Sequence, residues 1–198
     1  MGKQLIISVG REFGSGGHIV AAKLAERFGL PLFDSNILAD IAKQNNTSAE
    51  YLRKYDESAR NLFFSRTVNG FNNSPDEIIA QMQFDYIKQK ANAGESFVVI
   101  GRCADYVLRE NPGLIRIFIL GDKEAKIKRT AEREGISDDK AKALMEQNDK
   151  RRKYFHNSHS ECKWGDSRSY DITVNSSKLG LDGTTELLAK YIELRTAE

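Results

Sequence analysis

Three stretches of the chain are apolar almost without interruption: LIISV at 5–9, FVVI at 97–100 and IRIFIL at 115–120. A strand with one wet face alternates apolar and polar residues, whereas a strand covered on both faces does not. The pattern therefore predicts buried parallel strands, with LPLF at 30–33 and YDITV at 170–174 as shorter members of the same set. Between them the period lengthens to that of a helix. Residues 17–28 place Ile19, Val20, Leu24 and Phe28 near one face, and Gly29 ends the run. Thr47 with Glu50 reads as a capping box. Ser74 as cap, Pro75 at the first helical position, Glu77 closing the box and Gly94 as terminator define a further helix. KEAKIKRTAEREG reads as a basic helix ending at Gly135, Ser137 caps a long one through about Tyr154, and the last runs from Asp182 to near Arg195. Alternation of this kind predicts an α/β fold, with a mostly parallel sheet and helices on both faces. Ligands in such folds bind beyond the carboxyl ends of the strands. That directs attention to Gly10–Gly17, Asp34, Gly101–Asp105 and Asp122.

Composition narrows the classes. A length of 198 residues suits a single domain with a sizeable core. A net charge of +2 gives no field that would draw the whole molecule to nucleic acid or a membrane surface, although Lys123 to Lys163 is rich in arginine and lysine. Two cysteines, Cys103 and Cys162, are not a disulfide framework, and reduced thiols in a cytoplasmic protein are the expectation. The apolar run at the N-terminus is too short for a signal peptide, position 6 is Ile where a myristoylation pattern needs Ser or Thr, and no segment is long enough to cross a bilayer.

The stretch ISVGREFGSGGHIV runs from a strand through glycines into a helix. That order makes a phosphate nest: backbone N–H groups turn inward around an anion, aided by the helix N-terminus. Gly14, Ser15, Gly16, Gly17, His18 and Ile19 are the candidate phosphate-binding residues. The G-x-x-x-x-G-K-[ST] pattern is not met, because Gly17 and His18 stand where lysine and a hydroxyl belong. A plain glycine turn is the alternative for this motif alone. Arg11 follows Gly10 at the mouth of the loop, placed either to reach over bound phosphates or to lie in solvent.

Five spaced segments, GREFGSGGHIVAAKLAERFGLPLFDSNIL, VVIGRCADYVL, RIFILGDKEAKIKRTAEREGIS, NDKRRKYFHN and YDITVNSSKLGLD, together resemble the cytidylate kinase-like family, a branch of the P-loop nucleoside monophosphate kinases. The resemblance implies a three-layer α/β/α P-loop NTPase-like core of about five mostly parallel strands. A helical substrate-binding insertion would span about 45–75 and a lid about 125–168. It implies transfer of a phosphoryl group from ATP, with Mg2+, to a small phosphorylated acceptor of the cytidylate type. A nucleotide-binding regulator without transfer activity, and a kinase of another small molecule, are the alternatives. The chain departs from true cytidylate kinases at Gly17–His18, at Cys103 where an aspartate follows Gly-Arg, and at Ile100, where no acid precedes Gly101.

Carried over residue by residue, Arg102 would clamp the acceptor phosphate, and Asp34 is similar to the acid near the acceptor, although it also reads as a helix cap. Asp105 would orient the sugar or Arg102, and Arg60 is a weaker phosphate contact in the insertion. Arg129 and Arg133, one helical turn apart, share a face; with Asp149, Arg151 and Arg152 they would form an arginine-bearing lid. Arg11, Arg102, Arg129, Arg133 and Arg152 are thus the candidate catalytic set, replacing the loop lysine. Ser15, Asp122, or water and phosphates alone are the choices for magnesium, and no protein ligand is assigned. His156, His159 and Cys162 have zinc-ligand chemistry but no fourth partner in sequence, so a metal-free polar loop is expected there. Trp164 and Tyr170 are expected to pack the end of the lid region.

Overall fold

The computed structural model describes residues 3–56, 67–68, 71–72 and 75–197. Five parallel strands form the central sheet: β1 (Ile6–Arg11), β2 (Leu32–Phe33), β5 (Phe97–Ile100), β6 (Leu114–Leu120) and β7 (Ile172–Asn175), in the order β2-β5-β1-β6-β7. Two two-residue strands, β3 (Thr67–Val68) and β4 (Phe71–Asn72), pair antiparallel in a separate hairpin. Central β1 aligns Ile7 with Val98 on one side and with Ile115 on the other.

The uninterrupted apolar runs have the cause inferred for them. Ile6, Phe97 and Val99 point to one face, where α2 (Ile37–Gln44), α3 (Ala49–Asp56) and α4 (Pro75–Asn92) bury Ile37, Leu38, Ile41 and Ile87. Ile7, Val9, Val98 and Ile100 point to the other, against Val20 and Leu24 of α1 (Gly17–Phe28) and Leu188 and Ile192 of α8 (Ser176–Thr196). Successive strand side chains alternate faces, so two helical layers demand apolar residues at every position. Burying each such Ile or Leu contributes about 1.5–3 kcal/mol. The three-layer α/β/α core is therefore as expected.

Boundaries moved where local bonds outweighed pattern. The Ser48 hydroxyl, not that of Thr47, accepts the Tyr51 N–H at the start of α3. α4 begins at Pro75; Ser74 lies outside the described residues. α6 (Lys123–Glu134) ends at left-handed Gly135. α7 (Asp138–His159) continues five residues past Tyr154, so His156 and His159 are helical rather than on a loop. The last helix starts at Ser176, capped by the Asn175 side chain, and breaks at Gly180 before continuing. A single turn, α5 (Ala104–Val107), follows β5 and was not foreseen. Among the described residues, no helix is long and apolar enough to cross a membrane.

Candidate active site

The sheet order puts the crevice beside β1 and β5, where their connections leave in opposite directions. The loop after β1 wraps into α1 with Gly14 and Gly16 at φ +77° and +78°. A Cβ on Gly14 would also lie 2.8 Å from the Lys126 carbonyl, so this position combines left-handed backbone with close approach of α6. Ser15 is fully buried and spent within the loop. Its hydroxyl donates to the Glu12 carbonyl (2.8 Å) and accepts the Gly17 N–H (3.3 Å), while its carbonyl accepts from Ser176 Oγ (2.6 Å). Among the described residues, the N–H groups of Gly14, Gly16, His18 and Ile19 have no acceptor within the protein. Two of these open α1 and add its dipole. Ile19 is largely exposed.

Arg11 ends β1 and turns its side chain across the loop. A Cβ on Gly17 would meet Arg11 Cβ at 2.6 Å and Cγ at 3.0 Å, and one on Gly101 would meet Arg11 Nη1 at 2.2 Å. The arginine therefore runs through the space that a side chain at position 17 would need. It ends over the turn after β5. Arg11 and Arg102 line a cavity of 220 Å³ with Asn148, Arg151 and Arg152 of α7. Arg11, Arg152, Arg129 and Arg133 also line an adjoining groove of 540 Å³ along the glycine loop. Burial first, then the charges of Arg152 and Arg102, push the Arg11 pKa well down. Arg152 is lowered chiefly by burial as well. Crowded guanidiniums of this kind gain from an anion between them.

The turn after β5 keeps three successive residues left-handed: Gly101 (φ +68°), Arg102 (+57°) and Cys103 (+54°). For the two non-glycine residues that costs about 1–2 kcal/mol each, and such strain clusters at ligand sites. Its effect is to lift Arg102 into the cavity while Cys103 turns into the core.

α6 and α7 rest on the loop. Arg129 donates to the Gly14 carbonyl (2.6 Å) and Arg152 to the Arg11 carbonyl (3.1 Å). Arg133 and Arg152 flank the Phe13 ring at 4.9 and 5.3 Å. Asp149 accepts the Phe13 N–H at 2.6 Å. Pattern reasoning missed Lys126: it is buried and donates to Glu12 at 2.8 Å, with Asp149 3.9 Å away, bracing the loop from behind. Only its adjacency to Glu12 in space, invisible in a chain separation of 114 residues, marks it.

The remaining candidates separate. His18 and Asp34 pair at 3.1 Å on the rim, and Asp34 also accepts the Asn36 N–H at 2.8 Å, before α2. Burial raises the Asp34 pKa, but the Asn36 N–H, His18 and Arg102 outweigh it and hold the carboxyl below its usual value. Asp105, expected to orient Arg102 or a sugar, is instead buried against His156 Nε2 at 2.8 Å. His159 pairs with Glu77 at 3.2 Å. Arg60 lies outside the described residues. Asp122 accepts from Asn175 and Lys178 and is placed at the start of α6. Phe118 packs edge-on against Trp164 (5.3 Å) and at a tilt against Tyr170 (4.9 Å), so both aromatics serve packing. Ser15 is engaged inside the loop, and His18, which stands at the usual hydroxyl position, offers nitrogen and pairs with Asp34, so neither fits magnesium, which prefers oxygen.

The profile of the cytidylate kinase-like family matches residues 6–178. A cytidylate kinase from Methanococcus vannielii is 26% identical over 194 residues, covering 96% of this chain and all of that protein. The crystal structure of an uncharacterized protein from Eubacterium ventriosum superimposes with a TM-score of 0.76 at 42% identity, covering 96% of this chain and 99% of the other. Shikimate kinase from Bacteroides thetaiotaomicron shares the fold, with a TM-score of 0.54 at 12% identity over 96% and 98% of the two chains.

Proposed function

Because the chain belongs to the cytidylate kinase-like family, we propose that it transfers the γ-phosphoryl group of ATP to a nucleoside monophosphate, with cytidylate as the acceptor. The observation carrying this reading is the course of Arg11 through the space in front of Gly17 toward Gly101. A guanidinium from the end of β1 takes the place of a loop ammonium, and glycine at 17 is what lets it pass.

Donor phosphates lie along the loop amides in the larger groove, and the acceptor phosphate lies against Arg102 in the smaller cavity. An acceptor phosphate oxygen bonds to the γ-phosphorus as the bond to the β–γ bridging oxygen breaks, and ADP leaves. The transferring group carries its charge on three equatorial oxygens, so positioning and neutralisation are most of the catalytic work. Arg11 and Arg152 stand between the two spaces and supply that neutralisation. Arg129 and Arg133 of the α6–α7 lid shift from the loop carbonyl and the Phe13 ring to the phosphates.

The test is a panel of nucleoside monophosphates with ATP and magnesium, followed through ADP release. Cytidylate should give the fastest release; absence of acceleration by every monophosphate would overturn the proposal. A nucleotide-binding regulator is the second reading, favoured by the missing loop lysine and by Ile100 at the strand end. Calorimetric ATP binding without ADP release selects it.

A further inference from the structure

Beneath the Arg102 turn lies a cluster that phosphoryl transfer does not use. Cys103 Sγ, an Asp105 carboxylate oxygen and a ring nitrogen of His156 lie within 4.8 Å of one another. All three residues are more than nine-tenths buried. The His156 ring donates or accepts at Nε2 with Asp105, while its other nitrogen, Nδ1, is buried with no hydrogen-bond partner among the described residues. Nε2, the ring nitrogen that faces Asp105, is the one this cluster offers to a cation. Among the described residues, the Cys103 thiol is engaged only at long range, by the carbonyls of His156 (3.9 Å) and His159 (3.8 Å).

We propose that Cys103, Asp105 and His156 bind a zinc ion that joins the β5 turn to α7. Thiolate, carboxylate and neutral imidazole carry two negative charges together, so a dication makes the buried site neutral. Thiolate and imidazole exclude magnesium and calcium, which require oxygen, and suit zinc. Ligand atoms around zinc stand about 3.3–3.8 Å apart, given bond lengths of about 2.0–2.3 Å. The thiol closes in and the His156–Asp105 pair opens by roughly half an ångström to admit the ion. Without metal, burial first and then Asp105 and Cys162 push the Cys103 thiol up, so it is an inert thiol rather than a redox nucleophile. The fourth position falls to water or to Cys162, on the segment after α7. The ion would hold Arg102, one residue before Cys103, in register with Arg152, one helical turn before His156. Zinc here is structural and distinct from the magnesium that accompanies ATP.

The test uses the full chain, stripped by chelator and titrated with Co2+. Binding through Cys103 gives a thiolate-to-cobalt charge-transfer band at one equivalent, displaced by Zn2+ and untouched by Mg2+. Zinc should also raise the melting temperature, as any ligand of the native state does. Cys103→Ser should diminish the band by at least half, since at most Cys162 remains as a thiolate ligand. Should that variant fail to fold by circular dichroism, Asp105→Asn carries the test, since asparagine still accepts from His156: zinc affinity should fall by roughly tenfold or more. A folded wild-type chain without the band, a band undiminished in folded Cys103→Ser, or unchanged affinity in Asp105→Asn overturns the site.

Discussion

The inward face of α7 divides into two halves that meet the same sheet edge with opposite chemistry. Asp149 and Arg152 face the glycine loop and Arg11; His156 and His159 face the β5 turn and α4. The spacing, three then four then three residues, keeps all four on one helical stripe. In the first half, guanidiniums from Arg11, Arg102, Arg151 and Arg152 gather around a cavity. In the second, a carboxylate, a thiol and an imidazole are sealed from water. One end gathers positive charge and the other donor atoms of cation-binding type. The comparison teaches that the chemistry of the clustered groups, more than their burial, sets the two halves of one helix apart.

The largest expected effect tests the first half. Arg152→Ala removes a donor held over Phe13 and beside Arg11. Loss of one preorganised charge at a developing transition state costs about 10²–10³ in turnover. The coupled assay should show that loss in kcat, while circular dichroism and the melting curve show a retained fold. Turnover within a few-fold of wild type would mean that the arginine-rich half does not stabilise the transferring group.

A smaller effect sharpens the claim that Arg11 and the side chain at position 17 exclude each other. Gly17→Lys restores the ordinary loop lysine, yet its Cβ would stand 2.6 Å from Arg11 Cβ. The single variant should therefore lose activity, and so should Arg11→Ala, which empties the same space. Combined, Gly17→Lys with Arg11→Ala should recover about tenfold over Gly17→Lys alone, within the range of coupling between touching residues. Strict additivity of the two losses in kcat/KM would dissolve the proposed exchange.

The sheet and its two helical layers were legible because covered strands must be apolar at every position, and Ile6–Val9, Phe97–Ile100 and Ile115–Leu120 are nearly so. The loop was legible because glycines between strand and helix have few other uses. Partnerships across the chain were not. Nothing local joins Asp105 to His156, 51 residues on, or Lys126 to Glu12. Arg11 announces its position but not its path, which depends on the bare Cα atoms of Gly17 and Gly101. Boundaries failed where one side chain decided them, as with Ser48 ahead of α3 and Asn175 ahead of α8.

The smallest effect compares a carboxylate at the rim with one at the loop. Asp34 is held below its ordinary value because the Asn36 N–H, His18 and Arg102 together outweigh the opposing effect of burial. Its stabilisation is present above the ordinary carboxylate range and is lost as pH falls through the depressed folded value. Asp149 is shifted the other way: burial raises it, more than the Phe13 N–H, Lys126 and Arg152 lower it. Its contribution is complete below the ordinary value and is lost as pH rises through the elevated one. Urea midpoints between about pH 3 and about pH 6 separate the two. Asp34→Asn should flatten the fall in stability at the acid end, by no more than about 1 kcal/mol for so exposed a partner as His18. Asp149→Asn should flatten the decline just above the ordinary carboxylate range, because the neutral amide keeps an acceptor for Phe13 without a buried charge. Slopes changed in the same direction by both substitutions would mean that loop and rim share one electrostatic environment, and the division of the α7 face into unlike halves would lose its support at the loop end.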